Sequence, residues 1–229
     1  MISIIIPVFN EEKNIGKVIT YLQKNTNPKN CKEILVVDGG STDQTISIAK
    51  EYESVTILQC GKGRAKQLNH GASYATGKVL YFLHCDAIPP RGFDDLILNS
   101  IHHGNLSGCF KMKFESNHLL LKISEWFTQF NLKYFRGGDQ SLFIEKELFD
   151  NLGGFNTNFI VYEDNEFIHR LYKQASFHVI QRPIVTSSRR YQENGFWKLQ
   201  FHFMMIHLLY HIKAYNHHEI YKYYKKNIK

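Results

Sequence analysis

The chain has 229 residues, 43% of them hydrophobic and 21% charged, with a net charge of +7 from 28 Lys and Arg against 21 Asp and Glu. This balance is ordinary for a globular protein with one sizeable core, and it excludes a disordered chain, a collagen-like repeat and a low-complexity scaffold. The positive excess favours an anionic partner, whether nucleotide, phosphorylated substrate, nucleic acid or acidic membrane surface, without choosing among them.

Ile2 to Val8 is a continuous apolar run broken only by Ser3 and Pro7. It is too short for an export signal and reads as a first buried strand. The four cysteines, Cys31, Cys60, Cys85 and Cys109, form no C-x-x-C pair, so a reduced, cytoplasmic protein is expected. Ile15, Val18, Ile19 and Leu22 then recur at helical spacing. Ile34-Leu35-Val36-Val37 is a second strand that stops at Asp38-Gly39-Gly40. Ser41-Thr42-Asp43-Gln44 has the form of a capping box, which predicts a helix with Ser41 as its N-cap. Val55 to Leu58 reads as a third strand, Ala65 to Ala75 as a third helix and Val79 to Leu83 as a fourth strand.

Strand and helix alternate, so the first half predicts a largely parallel sheet with right-handed crossovers. In such sheets ligands bind beyond the carboxyl ends of the strands, where Asn10-Glu11, Asp38 and Asp86 should share one rim. The second half is less regular. Phe110 to Phe114 alternates like a half-exposed strand, Leu119 to Phe130 reads as an apolar helix, and Leu142 to Ile144 and Phe177 to Ile180 as short strands. Glu163 and Asp164 precede Phe167, Ile168 and Leu171, which puts both carboxylates at a helix N-terminus, while Arg189-Arg190-Tyr191 falls in a polar stretch. Phe196 to Tyr215 is rich in Phe, Met, Leu and Ile but broken by Gln200, His202, His207, His211 and Lys213, a poor membrane-spanning candidate. His207 and His211 have the spacing of a zinc pair without a third ligand or an H-E-x-x-H. Lys222, Lys225, Lys226 and Lys229 recur on one side of a final helix, which suits a peripheral contact with an anionic leaflet, a solvated face or a homodimer contact equally.

Several short segments carry chemistry by themselves. Asp38 can accept from a nucleobase N–H or a ribose hydroxyl, or simply cap its loop. Gly61-Lys62-Gly63-Arg64-Ala65-Lys66 matches neither G-x-x-x-x-G-K-[ST] nor G-x-G-x-x-G, yet a helix N-terminus with Lys62 and Arg64 is suited to a diphosphate, or else is a solvated basic turn. The run "VLYFLHCD" delivers Asp86 at the mouth of a buried strand, a position suited to handling metal or phosphate.

Four segments, "IIIPVFNEE", "ILVVDGGSTD", "GRAKQLNHGASYATGKVLYFLHCD" and "LGGFNTNFIVYEDNEF", together resemble the family 2 glycosyltransferases of the GT-A fold, from Met1 to about Leu171. In its H-x-D and R-R-Y elements the chain is also similar to a bacterial subgroup associated with arsenosugar-type biosynthesis. The resemblance implies an α/β, Rossmann-like, mixed and mainly parallel sheet flanked by helices over residues 1–192, with an amphipathic helical appendage over 193–229. It implies an inverting, divalent-metal-dependent hexosyltransferase that moves a sugar from a nucleotide-diphosphate donor to an acceptor hydroxyl. The donor is expected to be a UDP-sugar, with a GDP-sugar as the alternative, and the acceptor a small molecule, lipid or glycan.

By that resemblance Pro7 and Phe9 flank the base, Glu11 holds the ribose, and Asp38 stands alone where the family commonly has two aspartates, Gly39 replacing the second. Asp86 aligns with the acid that holds Mg2+ or Mn2+, while His84 takes the place of the first acid of D-x-D and is expected at the ribose, the metal or its surroundings. Asp164, beside Glu163, is expected to take the acceptor's proton, as inversion needs a base opposite the leaving group. Gly138-Asp139-Gln140 is expected near the acceptor, and Arg189, Arg190 and Tyr191 either fold over the diphosphate as a closing loop or form a surface basic pair.

Two other readings compete. A sugar-phosphate nucleotidylyltransferase would want a glycine-rich loop after the first strand, where "PVFNEE" stands. A non-catalytic nucleotide-binding sensor or scaffold of the same fold is allowed by His84 and Gly39. Nucleic acid is not expected as a partner, since the catalytic half lacks a basic groove interleaved with stacking aromatics.

Overall fold

A computed structural model describes every residue except Lys213 and Lys229, so the expectation for Lys229 lies outside the described residues. In chain order the elements are β1 (Ile2–Val8), α1 (Ile15–Asn25), β2 (Cys31–Asp38), α2 (Thr45–Lys50), β3 (Val55–Gln59), α3 (Arg64–Tyr74), β4 (Val79–Phe82), β5 (Ala87–Ile88) and α4 (Phe93–His102). There follow β6 (Ser107–Phe114), α5 (Leu119–Thr128), two 3-10 turns (Lys133–Phe135 and Gly138–Gln140), β7 (Leu142–Glu145), α6 (Lys146–Asn151), α7 (Glu163–Gln174) and β8 (Phe177–Thr186). The chain closes with α8 (Arg189–Asn194), α9 (Phe196–His211) and α10 (His217–Asn227).

One sheet of eight strands runs β3-β2-β1-β4-β7-β6-β8-β5. Its first half is parallel, β1 lying between β2 and β4, and β7 enters antiparallel to both β4 and β6. The alternation within β1 separates two cores. Ile2, Ile4 and Ile6 pack with the inward stripe of α1 (Ile15, Val18, Ile19, Leu22) and with Phe93 and Ile97 of α4. Ile5 faces the other way, into a core shared with Leu68 and Ala72 of α3 and Phe167 and Leu171 of α7. Both faces of the sheet are therefore covered, which is why its central strands read as unbroken apolar runs.

A third cluster lies beneath the last helices, where Phe114, Leu121, Tyr162 and Tyr191 pack with Leu199, Ile206 and Ile220. The boundary expected between residues 192 and 193 falls inside α8, and α9 and α10 share this core with the strands and loops before it.

Two local expectations are corrected. Ser41 does not cap a helix: its hydroxyl donates to Asp38 Oδ1 at 2.6 Å and accepts from the Asn10 amide at 2.9 Å, and α2 begins only at Thr45. A charge-assisted bond to a carboxylate outcompetes a cap, and it stitches the exits of β1 and β2 together. Arg189, Arg190 and Tyr191 are not an open loop but the first turn of α8, with Tyr191 buried against Phe114.

Candidate active site

At the exit of β2 the Asp38 carboxylate, 4% exposed, is held by both the amide and the hydroxyl of Ser41. Gln67, reaching over from α3, donates to the carbonyls of Val8 and Val37, both at 2.8 Å, and so locks the ends of β1 and β2 side by side. A Cβ at position 39 would stand 3.0 Å from the Gln67 amide group and would crowd that bridge. Pro7 is half-buried within β1, paired with Val37. Beyond it the Lys62 ammonium sits 3.9 Å over the Phe9 ring. Lys62 thus lies with Phe9 at the exit of β1. Glu11 accepts from Asn14 at 2.6 Å and pairs with Arg189 at 3.3 Å, which brings α8 to the same rim.

The second group of residues closes on a narrow cleft whose free volume, about 20 Å³, is little more than a water molecule needs. Arg64, His84, Gly138 and Asp164 line it over an apolar floor that includes Leu68, Phe82 and Phe155. Arg64, two-fifths exposed, reaches to 3.4 Å from the buried Glu163. Although desolvation works against its charge, the carboxylates of Glu163, Asp164, Asp139 and Asp86 raise its pKa. Burial pushes Glu163 itself up to about 7, against the pull of Arg64 and with the help of the neighbouring Asp164.

Asp164 stands in the first turn of α7, where a negative charge complements the helix dipole. Its Oδ2 accepts from the Gly138 amide and its Oδ1 from the Asn165 amide at 2.7 Å. His84 approaches the same glycine from another side and pairs through Nδ1 with Asp139 at 3.4 Å. Desolvation would raise Asp139, but His84, Arg64 and Arg190 together hold it down at about 2.

Asp86 lies at the β4–β5 turn, where its carbonyl accepts from Ser187. Its carboxylate accepts no hydrogen bond among the described residues, unlike those of Asp38, Glu11 and Asp164. Among the described residues no group of three or more His, Cys, Asp or Glu could hold a metal by itself. A single unengaged carboxylate suits only a hard cation of the Mg2+ type, most of whose ligands would come from outside the protein. Arg190 turns toward the tail, donating to the Tyr224 hydroxyl and lying over the rings of Phe203 and Tyr224, while its charge is still felt by Asp139.

Two contributors, Arg136 and Tyr162, escaped the sequence reading, and Asn69 acts beside them. Buried Arg136 donates to the carbonyls of Thr128 (2.7 Å) and Phe130 (2.6 Å) and to Gln140 Oε1 (2.8 Å), fixing the loop that presents Gly137 and Gly138. Asn69 exchanges two hydrogen bonds with the backbone of Phe155, at 2.8 and 2.9 Å, and so ties α3 to the loop that leads into α7. Tyr162 precedes the two carboxylates with φ of 75°, a left-handed conformation uncommon for a bulky residue, and its hydroxyl shares a 2.7 Å hydrogen bond with His207. The only sequence cue was the arginine before the paired glycines at 137 and 138. His207 and His211 form no zinc pair with a third ligand: His207 is taken by Tyr162, and the His211 ring lies 4.6 Å from that of His169. The lysines at 222, 225 and 226 are exposed on α10.

Among solved structures, TarS of Staphylococcus aureus, residues 1–349 in complex with UDP, superposes with a TM-score of 0.68 at 22% identity, covering 81% of this chain and 60% of that one. The mannosyltransferase PcManGT from Pyrobaculum calidifontis, in complex with GDP-Man and Mn2+, gives a TM-score of 0.72 at 16% identity over 97% of this chain and 69% of that one. These likenesses show a GT-A-like fold. In sequence, the glycosyltransferase AglE of Haloferax volcanii is 40% identical over 38% of this chain and 31% of its own length. A poly(ribitol-phosphate) beta-glucosyltransferase of Bacillus spizizenii is 27% identical over 76% of this chain and 30% of its own. The chain thus spans about a third of the length of these two relatives. The model of the family described as "Glycosyl transferase family 2" matches residues 3–157, which takes in every element from β1 to α6 and with them the walls built by Asp38, Arg64, His84 and Asp86, and by this match the chain belongs to that family.

Proposed function

We propose that this chain is an inverting, divalent-metal-dependent glycosyltransferase that moves a hexose from a nucleoside-diphosphate donor, UDP-linked or else GDP-linked, to an acceptor hydroxyl. The observation that carries the reading is the cleft in which Asp164, fixed by Gly138, faces Arg64 and His84 with the unengaged Asp86 carboxylate close by. Phe9, Glu11 and Asp38 hold the nucleoside, and Pro7 shapes its floor. Lys62 and Arg64 supply positive charge toward the diphosphate, and Asp86 would hold the metal, whose role is to neutralise charge growing on the departing diphosphate.

The acceptor oxygen attacks the anomeric carbon as the C–O bond to phosphate breaks, and its proton passes to Asp164. Glu163 steadies Arg64 from behind. An acid at the first turn of a helix is a weak base, which suffices because the hydroxyl becomes acidic only as its bond to carbon forms. The donors named for the superposed enzymes, UDP-GlcNAc for TarS and GDP-Man with Mn2+ for PcManGT, support a nucleotide sugar and a divalent ion here. The finer kinship with the arsenosugar-associated subgroup rests on His84-Cys85-Asp86 and Arg189-Arg190-Tyr191.

Calorimetry with UDP and Mn2+, together with product analysis at the anomeric carbon, tests the reading. Asp86→Asn should lose the metal-dependent part of UDP binding, and Asp164→Asn should bind UDP normally and lose transfer. Undiminished turnover by Asp164→Asn, or a product that retains the donor's anomeric configuration, would refute the assigned chemistry. Pyrophosphate release would instead indicate nucleotidyl transfer, and UDP binding without any turnover a sensor.

A further inference from the structure

Helix α9 is apolar on two opposite sides. Leu199 and Ile206 turn into the third core, where the helix packs against the rest of the molecule. About half a turn away, Trp197, Phe201, Met204 and Leu208 recur at i, i+4, i+7 and i+11 and are at least half exposed, Trp197 at 73%. Such a helix belongs against a second apolar phase.

Helix α5 repeats the pattern. Leu121 and Thr128 are buried, while Leu119, Ile123, Trp126 and Phe130 are exposed on the opposite side. The two helices meet where His118, the residue before α5, stacks on Phe196 at 3.8 Å, and the 3-10 turn that follows α5 reaches the far end of α9, where Tyr134 meets His211 at 5.3 Å. Each helix thus turns an aromatic-containing apolar stripe outward, and exposed apolar groups of this kind mark an interaction site.

Charge identifies the occupant. α9 contains no Asp or Glu, and the single acid of α5, Glu125, is turned inward to accept from the Phe114 amide at 2.6 Å. Among the described residues the exposed charges on and around these helices include Lys113, Lys122, Lys198, Lys222, Lys225 and Lys226, set against Glu115, Glu193 and Glu219. A two-fold contact with a second copy would set these lysines against themselves, whereas anionic lipid headgroups complement them. No helix among the described residues is long and apolar enough to cross a membrane, so the face would lie in the interface.

We propose that the outward face of α5 and α9 docks on an anionic membrane leaflet, with its tryptophans and phenylalanines at the level of the headgroups and the α10 lysines beside them. The proposal is independent of the chemistry assigned to Asp164.

The chain's only two tryptophans, Trp126 and Trp197, both lie on this face, so tryptophan emission excited selectively over the tyrosines reports on it alone. The full chain should show blue-shifted emission and co-sediment with vesicles of phosphatidylcholine and phosphatidylglycerol, binding them about tenfold more tightly than pure phosphatidylcholine. Raised salt should weaken that preference. Phe201→Ser with Leu208→Ser, at outward positions that leave both tryptophans in place, should lower vesicle binding about tenfold with an unchanged circular dichroism spectrum, and Lys222→Glu with Lys225→Glu should abolish the lipid preference. Unshifted emission and no co-sedimentation with the anionic vesicles would overturn the proposal. So would a concentration-dependent dimer that the Phe201 and Leu208 substitutions turn into a monomer, since the face would then belong to a second copy.

Discussion

The backbone amide of Gly138 donates to the carboxylate of Asp164 at 2.5 Å. A Cβ at residue 138 would lie 2.5 Å from Asp164 Oδ2 and 2.8 Å from the His84 ring, so both groups approach the bare Cα. Gly138→Ala must push one of them aside. Displacing a reacting group by about 1 Å can cost a hundredfold. The expected outcome is a loss of sugar transfer of about that size with the fold retained, measured by steady-state kinetics alongside circular dichroism.

The burial that lifts Glu163 to about 7 from an ordinary 4.5 makes a stability prediction. Below pH 4.5 the group is protonated whether the chain is folded or not, and nothing is lost. As pH rises from 4.5 to 7 the unfolded chain ionises it freely while the folded chain resists, so stability falls across that window and levels off above it. Glu163→Gln cannot ionise, and Arg64 is exposed enough to tolerate the change. Its melting temperature should therefore gain on the native protein between pH 5 and 8, by a difference on the order of 2 kcal/mol.

His169 and His207 titrate the opposite way. Burial, chiefly, holds both at about 4, with His211 adding to the effect and Asp164 partly opposing it at His207. Their contribution to stability is complete above the ordinary value of 6.5 and is lost as pH falls from 6.5 toward 4. The His169 Nε2 atom is buried without a partner, so His169→Phe should flatten the acid limb of a melting-temperature profile by about 1–2 kcal/mol at pH 4.5.

Arg136 is buried, and its guanidinium donates to the carbonyls of Thr128, Phe130 and Leu132 and to the side chains of Gln140 and Cys109. Removing a buried donor leaves those acceptors unsatisfied, each at about 1–3 kcal/mol. Arg136→Met should destabilise the protein by about 3 kcal/mol in urea melts and, by loosening Gly137 and Gly138, lower kcat more than it raises the KM for donor.

The first half of the molecule was legible because its physics is local. The apolar runs of β1 and β4 and the stripe at 15, 18, 19 and 22 report burial directly, and strand exits necessarily carry Asp38 and Asp86 to one rim. The pairing of Glu163 and Asp164 with a helix start was equally local. What stayed hidden depends on partners far along the chain. Nothing near Ser41 announces that its hydroxyl will prefer Asp38 to a helix end, and nothing near Arg136 announces the carbonyls waiting for it. The short α4 and α6 were missed because packing on the sheet, and not amphipathic length, makes them helical.

The contacts that assemble the cleft share one property. Asn69 reaches a partner 86 residues away, Arg64 one at a distance of 99, and Glu11 one at 178. Each must close a long stretch of chain before it returns any stabilisation, and such closures come late on the route from an unfolded ensemble. A refolding chain should therefore recover its helical signal well before it recovers the nucleotide binding proposed for it.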